Sequence, residues 1–162
     1  MSVGWGGAAL LAGTVACGLM AGLFAAFSYA VMPGLARTDD ATFVQALQRI
    51  NVAILNGWFG VCFAGALVFT AVAAVLLRDR PGLPWIVAGL VLYAAVLLVT
   101  FAANVPLNNR LEAAGTADPA AARAAFETLW VRWNVVRAIL SVAAFGCLCW
   151  ALVLLGRSTA VG

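Results

Sequence analysis

The segment Trp130-Val131-Arg132-Trp133-Asn134-Val135-Val136-Arg137 concentrates the groups of this chain that can do chemistry. Trp130, Asn134, Arg137 and Ser141 are spaced i, i+4, i+7 and i+11, which places them on one helix face. An arginine at the edge of an apolar run is paired, snorkelling to the interface, or lining a cavity. A cation beside amides and indoles is suited to holding a flat, lipophilic, oxygenated molecule. Trp130 and Arg132 fit an interfacial anchor at headgroup level equally well. Asn134 and Arg137, one to two turns deeper, fit that role less well.

Other amides fall at the same level of the chain. Asn104 and Asn108 flank Pro106. They either satisfy backbone groups that the proline frees or orient a ligand oxygen. Gln48 and Asn51, three apart, and Tyr29, near the end of the first apolar run, reach the same mouth. The expected site therefore holds Arg137, Asn134 and Asn104. Tyr29, Gln48, Asn51 and Asn108 add polar contacts, and Trp58, Phe101, Trp130 and Trp133 form aromatic walls. An apolar cavity with a few convergent polar groups is the usual form of a small-molecule site. A polycyclic phenol or a quinone matches it.

What the chain lacks narrows the chemistry further. It has no histidine, which removes the commonest metal ligand, haem ligand and general base. No carboxylate lies within an apolar run, as a proton-coupled transporter requires. Cys17, Cys62, Cys147 and Cys149 all sit in apolar runs with no C-x-x-C. They read as small buried residues rather than as an exchanging dithiol. The nine cations are all arginine, without a basic stripe, so a nucleic-acid partner is not expected. Absent lysine and abundant Ala, Gly, Val and Leu fit a bacterial source, and with it the inner membrane.

The elements that must position these residues follow from the charges. No Asp, Glu, Lys or Arg occurs before Arg37, from Ile50 to Leu77, from Pro81 to Asn109, or from Ala138 to Gly156. A helical span needs about 20 mostly apolar residues, and a charge at its centre costs about 3 kcal/mol or more. Four charge-free gaps predict an all-α, four-transmembrane-helix up-down bundle in one domain, residues 1–162. Its helices are expected at about 8–32, 39–77, 84–104 and 119–156. Met32-Pro33-Gly34 should stop the first and Pro106 the third. The second and fourth should run past the membrane on the loop side, with a kink possible at Asn56-Gly57. The first run carries no Lys or Arg ahead of it and is long enough to span, so retention rather than cleavage is expected.

The bundle has two unlike ends. The termini and the 78–83 turn share one side. The other holds residues 33–50 and 104–137, with all six Asn, both Gln and five of the six acids on it or on the adjoining helix ends. That loop side carries Arg37, Arg49, Arg110, Arg123, Arg132 and Arg137 against Arg78, Arg80 and Arg157, which favours a cytoplasmic mouth. If Arg49, Arg132 and Arg137 are buried or paired, the two sides balance. Membrane lipids are expected partners, and a homo-oligomer is compatible with the pattern.

Four stretches carry a resemblance. They are Phe27-Ser28-Tyr29-Ala30-Val31-Met32-Pro33-Gly34-Leu35; Gln48-Arg49-Ile50-Asn51 through Asn56-Gly57-Trp58-Phe59; Asn104-Val105-Pro106-Leu107-Asn108; and Trp133-Asn134-Val135-Val136-Arg137. Together they resemble the small four-helix membrane proteins called anthrone-oxygenase-like. The resemblance implies oxidation of an anthrone to an anthraquinone by O₂ with no metal or flavin cofactor. It makes Arg137 the partner of the substrate anion, Asn134 and Asn104 its hydrogen-bond donors, and Trp130 and Trp133 the stacking surfaces. The general base is left to a water, the substrate's own phenolate or Tyr29. A quinone- or lipid-binding module and a structural or assembly subunit are the alternatives.

Overall fold

The computed structural model describes the backbone of residues 4–160 and the side chains of residues 4–157. Among these residues five helices make up the fold: α1 (Trp5–Leu35), α2 (Asp40–Ile54), α3 (Gly57–Leu76), α4 (Leu83–Ala114) and α5 (Pro119–Ala160). Four of them, α1, α3, α4 and α5, are long and apolar enough to cross a membrane. The chain is a multi-pass membrane protein built as an up-down four-helix bundle. α1 packs between α3 and α5, α4 packs on α5, and the α3–α4 seam is the loosest of the four.

Close approach of α1 to α3 depends on glycine. A Cβ on Gly13 would lie 2.7 Å from Thr70 Oγ1 and 3.0 Å from the Thr70 backbone nitrogen. Without a strong hydrophobic drive between helices in lipid, such small-residue contacts supply much of the packing. Gly18 faces the Phe145 ring, while Gly22, one turn on, meets nothing within 4 Å. Gly13→Val should destabilise the bundle by about 1–3 kcal/mol through overpacking, read as a lowered unfolding midpoint in detergent. An unchanged midpoint would remove Gly13 as a contact point.

The second charge-free run is not one helix. The chain breaks at Leu55-Asn56, and Asn56 starts α3 with its side-chain oxygen accepting from the Phe59 N–H at 3.0 Å. Asn is a strong N-cap, so the kink expected at Asn56-Gly57 is a full elbow. α2 is amphipathic and buries Phe43, Val44 and Leu47. Asp39 caps it by accepting from Thr42 Oγ1 and N. These bonds, the side-chain one foremost, hold the Asp39 carboxyl below its usual pKa.

α5 spans 42 residues, about 63 Å at roughly 1.5 Å per residue, twice the ~30 Å hydrocarbon core. Its loop-side end packs with α2 and the ends of α1 and α4 in a second core of Met32, Phe43, Val44, Leu47, Leu107, Leu111, Phe126 and Trp130. Arg123 fastens this layer. It donates to Asp40, Glu127 and the carbonyls of Ala36 and Thr38, over the Phe43 ring.

Two prolines expected to end helices do not. α1 continues to Leu35 through Pro33, and α4 continues to Ala114 through Pro106. In each, a five-residue π-turn precedes the proline by one residue: Phe27–Val31 before Met32-Pro33, and Thr100–Asn104 before Val105-Pro106. Proline lacks an N–H and its ring collides with the i−4 carbonyl of a regular α-helix. Widening the preceding turn relieves that collision. A π-turn also leaves main-chain carbonyls in need of other donors, and both turns lie at the same level of the bundle, facing α5.

Candidate functional site

At that level the helices part to leave a cavity of about 360 Å³. α1 contributes Leu23, Phe24 and Phe27. The α2–α3 elbow contributes Ile50, Asn51, Ile54, Leu55, Asn56, Phe59, Gly60 and Phe63. The π-turn of α4 and the turn after it supply Thr100, Phe101, Asn104, Val105 and Asn108, and α5 supplies Trp130 and Arg137. Most of the wall is aliphatic or aromatic; Thr100, Asn104, Asn108 and Arg137 supply polar groups from the α4 and α5 side, and Asn51 and Asn56 from the elbow.

Trp130, Asn134, Arg137 and Ser141 do share one buried face. Arg137 is 7% exposed and has no carboxylate partner among the described residues, whose ion pairs use Arg78 and Arg123. An isolated buried cation is costly, so its compensation has to be found elsewhere. One terminal nitrogen donates to Asn134 Oδ1 at 2.8 Å, and the other reaches Thr100 Oγ1 at 3.5 Å. The guanidinium carbon lies 4.4 Å from the Phe24 ring centroid and 5.6 Å from that of Trp130, where the ring quadrupoles attract a cation.

One donor is left over. Arg137 Nε is buried and has no hydrogen-bond partner in the protein; the same holds for Asn104 Oδ1. Both residues line the cavity. Buried polar groups are satisfied in the great majority of native proteins. The two atoms lie just behind the cavity surface, and a small turn of each side chain would present a donor and an acceptor to a ligand that offers an oxygen and a hydroxyl.

Asn134 is not on the wall. Its Nδ2 donates to the Phe24 carbonyl at 3.0 Å and to Ser28 Oγ at 2.9 Å, while its Oδ1 receives Arg137. It thus ties the α1 π-turn to the arginine and positions both. Asn104 Nδ2 donates to the Trp130 carbonyl at 3.4 Å, and Trp130 Nε1 donates to Asn108 Oδ1 at 2.7 Å. The indole is held by this bond and by Phe27 and Phe126 at ring-centroid distances of 5.7 and 5.8 Å.

Of the residues expected at the mouth, Asn51, Phe101, Asn104, Asn108, Trp130 and Arg137 come together on the wall. Beside Asn134, four others do not. Tyr29 and Trp58 are 74% and 75% exposed, because each sits on the outward face of its helix. Trp133 also turns outward, one position before Asn134 and so about 100° round from it. Gln48 is spent on the end of α4, donating to the carbonyls of Leu111 and Gly115. Sequence reasoning missed Phe24, Phe27, Phe59, Phe63 and Thr100. Thr100 had a readable signal, lying four residues before Asn104 on the same helix face. Phe27 and Phe59 fall in stretches that carry the family resemblance, whereas Phe24 and Phe63 had no signal beyond their apolar character.

A family model described as anthrone oxygenase matches residues 57–147. That interval holds the wall residues of α3, α4 and α5, with Asn134 behind them, and leaves out α1 and α2. No curated protein and no solved structure matches the chain.

Proposed function

The chain belongs to the anthrone oxygenase family, its match covering more than half the residues, and from that premise we propose that it oxidises an anthrone-like polycyclic phenol with O₂ in the cavity beside Arg137. The observation that carries this reading is the buried, carboxylate-free arginine whose Nε lacks a partner on an apolar wall. A cavity of about 360 Å³ lies at the lower end of the ~300–1,000 Å³ usual for small-molecule sites, which suits a compact three-ring molecule.

The chemistry asks little of a protein. An anthrone methylene loses a proton to give an anion whose charge rests on the former carbonyl oxygen, as an aromatic phenolate. Arg137 stabilises that oxyanion in a low-dielectric site. Asn104 Oδ1 accepts from a ring hydroxyl, and Trp130 and the phenylalanines hold the ring plane. The anion passes one electron to O₂, and the resulting radicals join as a carbon-bound peroxide, which takes up a proton. Loss of the second methylene proton expels hydroxide and leaves the ketone, so anthrone and O₂ become anthraquinone and water. With Tyr29 pointing outward, the base is the substrate's own phenolate or a water. Of the residues on the wall, only Arg137 is titratable.

The test is O₂ uptake by the protein in lipid nanodiscs supplied with 1,8-dihydroxyanthrone. One anthraquinone should form per O₂ consumed, faster than the spontaneous reaction; no excess rate overturns the proposal. Because the wall offers no carboxylate or imidazole, the rate should rise with pH along the substrate's ionisation. The midpoint should then move when ring substituents change the substrate's acidity. A midpoint that stays fixed across substrates would point to a protein base and count against this mechanism.

The same lack of a base favours a second reading, a site that binds a quinone or phenol for a partner without turning it over. Co-purification of such a ligand with no O₂ uptake would select it. As to placement, Arg49 and Arg132 are exposed and only Arg137 is buried. Setting Arg137 aside leaves Arg37, Arg49, Arg110, Arg123 and Arg132 on the loop side against Arg78, Arg80 and Arg157. That excess orients the cavity end toward the cytoplasm, in what we take to be a bacterial inner membrane. A reporter fused at the C-terminus reads the opposite side directly.

A further inference from the structure

The cavity's wall is not uniformly buried, and the pattern locates its opening. Phe24, Phe63, Thr100, Asn104, Trp130 and Arg137 are buried, whereas Leu55, Asn56, Gly60 and Phe101 are exposed. The exposed four lie together, at the elbow, the first turn of α3 and the π-turn of α4. They border the α3–α4 seam, the loosest in the bundle. Around them the surface is apolar: Val52, Leu55, Trp58, Val61, Leu98 and Phe101 are each more than 60% exposed. A patch of that kind belongs in lipid rather than water, and Trp58 is of the type that settles at the headgroup level.

We propose that the cavity opens sideways into the bilayer between α3 and α4, that its ligand enters from the membrane phase, and that Gly60 sets the width of the entrance. The identity of the ligand rests on the function proposed above; the position of the opening does not. Gly60 is exposed and is the one glycine among the wall residues. A Cβ built there meets nothing within 4 Å, so helix packing does not demand a glycine. It leaves open space at the edge of the cavity that Phe101 also borders. A lipophilic polycycle partitions strongly into the bilayer, and a lateral entrance draws on that concentrated pool without taking the molecule back into water.

Two measurements on the full chain in nanodiscs test this. The first follows entry of 1,8-dihydroxyanthraquinone, a redox-stable probe, by quenching of tryptophan fluorescence, since Trp130 is on the wall. Gly60→Trp and Gly60→Leu should slow association by about tenfold or more, within the one to three decades over which association rates respond to interface changes. Gly60→Ala should stay near wild type, and all three should keep the wild-type unfolding midpoint. Association unaffected by both bulky variants overturns the entrance. The second needs no ligand: a nitroxide on Gly60→Cys, with Cys147 and Cys149 replaced by Ala, is probed with O₂ and with a water-soluble nickel chelate. Greater relaxation by O₂ places the opening in lipid, and greater relaxation by nickel overturns it. Wild-type protein that binds none of the anthraquinone overturns the proposed function, and the spin-label result then decides the entrance by itself.

Discussion

Arg137→Met should abolish turnover of the anthrone while leaving the bundle close to wild type in stability. Arg137 contributes a charge that no carboxylate in the described residues balances. A preorganised group at a developing oxyanion typically contributes about 10²–10³ in rate. O₂ uptake should therefore fall to the spontaneous background. Stability should change little. Relief of a buried charge without a carboxylate partner offsets the cost of about 1–3 kcal/mol for leaving Asn134 Oδ1 without its donor, and methionine fits the space between Phe24 and Trp130. Arg137→Lys separates charge from geometry. It keeps a cation but loses the planar fork that reaches Asn134 and Thr100 together. Intermediate activity is expected. If Arg137 were instead an anchor of the fold, the methionine variant would lose its unfolding midpoint and activity together.

Asn134→Leu should do what Arg137→Met does not: reduce stability and activity at once. Asn134 is 1% exposed, and Phe24 and Arg137 are buried with it. The Phe24 carbonyl would keep its bond from Ser28 Oγ but lose the amide's, Ser28 Oγ would lose its donor, and Arg137 its shortest acceptor. The largest loss is at the guanidinium, where a buried group deprived of its partner costs about 1–3 kcal/mol. The freed guanidinium would also swing, and a misplacement of about 1 Å at a reacting centre can cost about 10²-fold in rate. The signature is a lowered midpoint with kcat reduced more than KM is raised, since ring binding by Trp130 and the phenylalanines survives. A variant with full kcat and a normal midpoint would show that the α1 π-turn and the arginine are not coupled through Asn134.

These two variants divide the motif in a way its spacing does not. The i, i+4, i+7, i+11 pattern puts Trp130, Asn134, Arg137 and Ser141 on one face, and that face is buried. Spacing assigns no depth within a face. Arg137 reaches the cavity, Asn134 lies behind it, and Ser141 donates back to the Arg137 carbonyl at 2.7 Å. The amides divide in the same way. Asn51, Asn104 and Asn108 reach the wall, but Gln48 and Asn56 serve helix ends, although Asn56 also borders the mouth. An amide in sequence is equally able to do either. The outcome turns on whether a frayed carbonyl or an open N–H lies nearer than the ligand.

The prolines show the limit most clearly. Pro33 and Pro106 read as helix stops because a lone α-helix cannot carry a proline at no cost. In the bundle each helix has neighbours that stabilise its continuation. The collision is relieved by a π-turn, and Asn134 on α5 serves the Phe24 carbonyl just ahead of the one in α1. That bond is long-range in sequence, spanning 110 residues, and no local pattern contains it.

The sequence by itself determined the medium and the count. Four stretches without a charge leave no alternative to four spans, because the cost of burying charge in hydrocarbon dominates any other local preference. It also determined which end carries the polar groups, since these lie at the borders of the gaps. Only the tertiary structure decided what the polar groups do. It parted the helices where two π-turns face α5, left Arg137 Nε and Asn104 Oδ1 without partners on the same wall, and turned Tyr29, Trp58 and Trp133 outward. Those results depend on helix rotation and on contacts between residues far apart in the chain. Hydropathy fixes how long a helix is and where it sits, while its rotation is set by the neighbours it packs against.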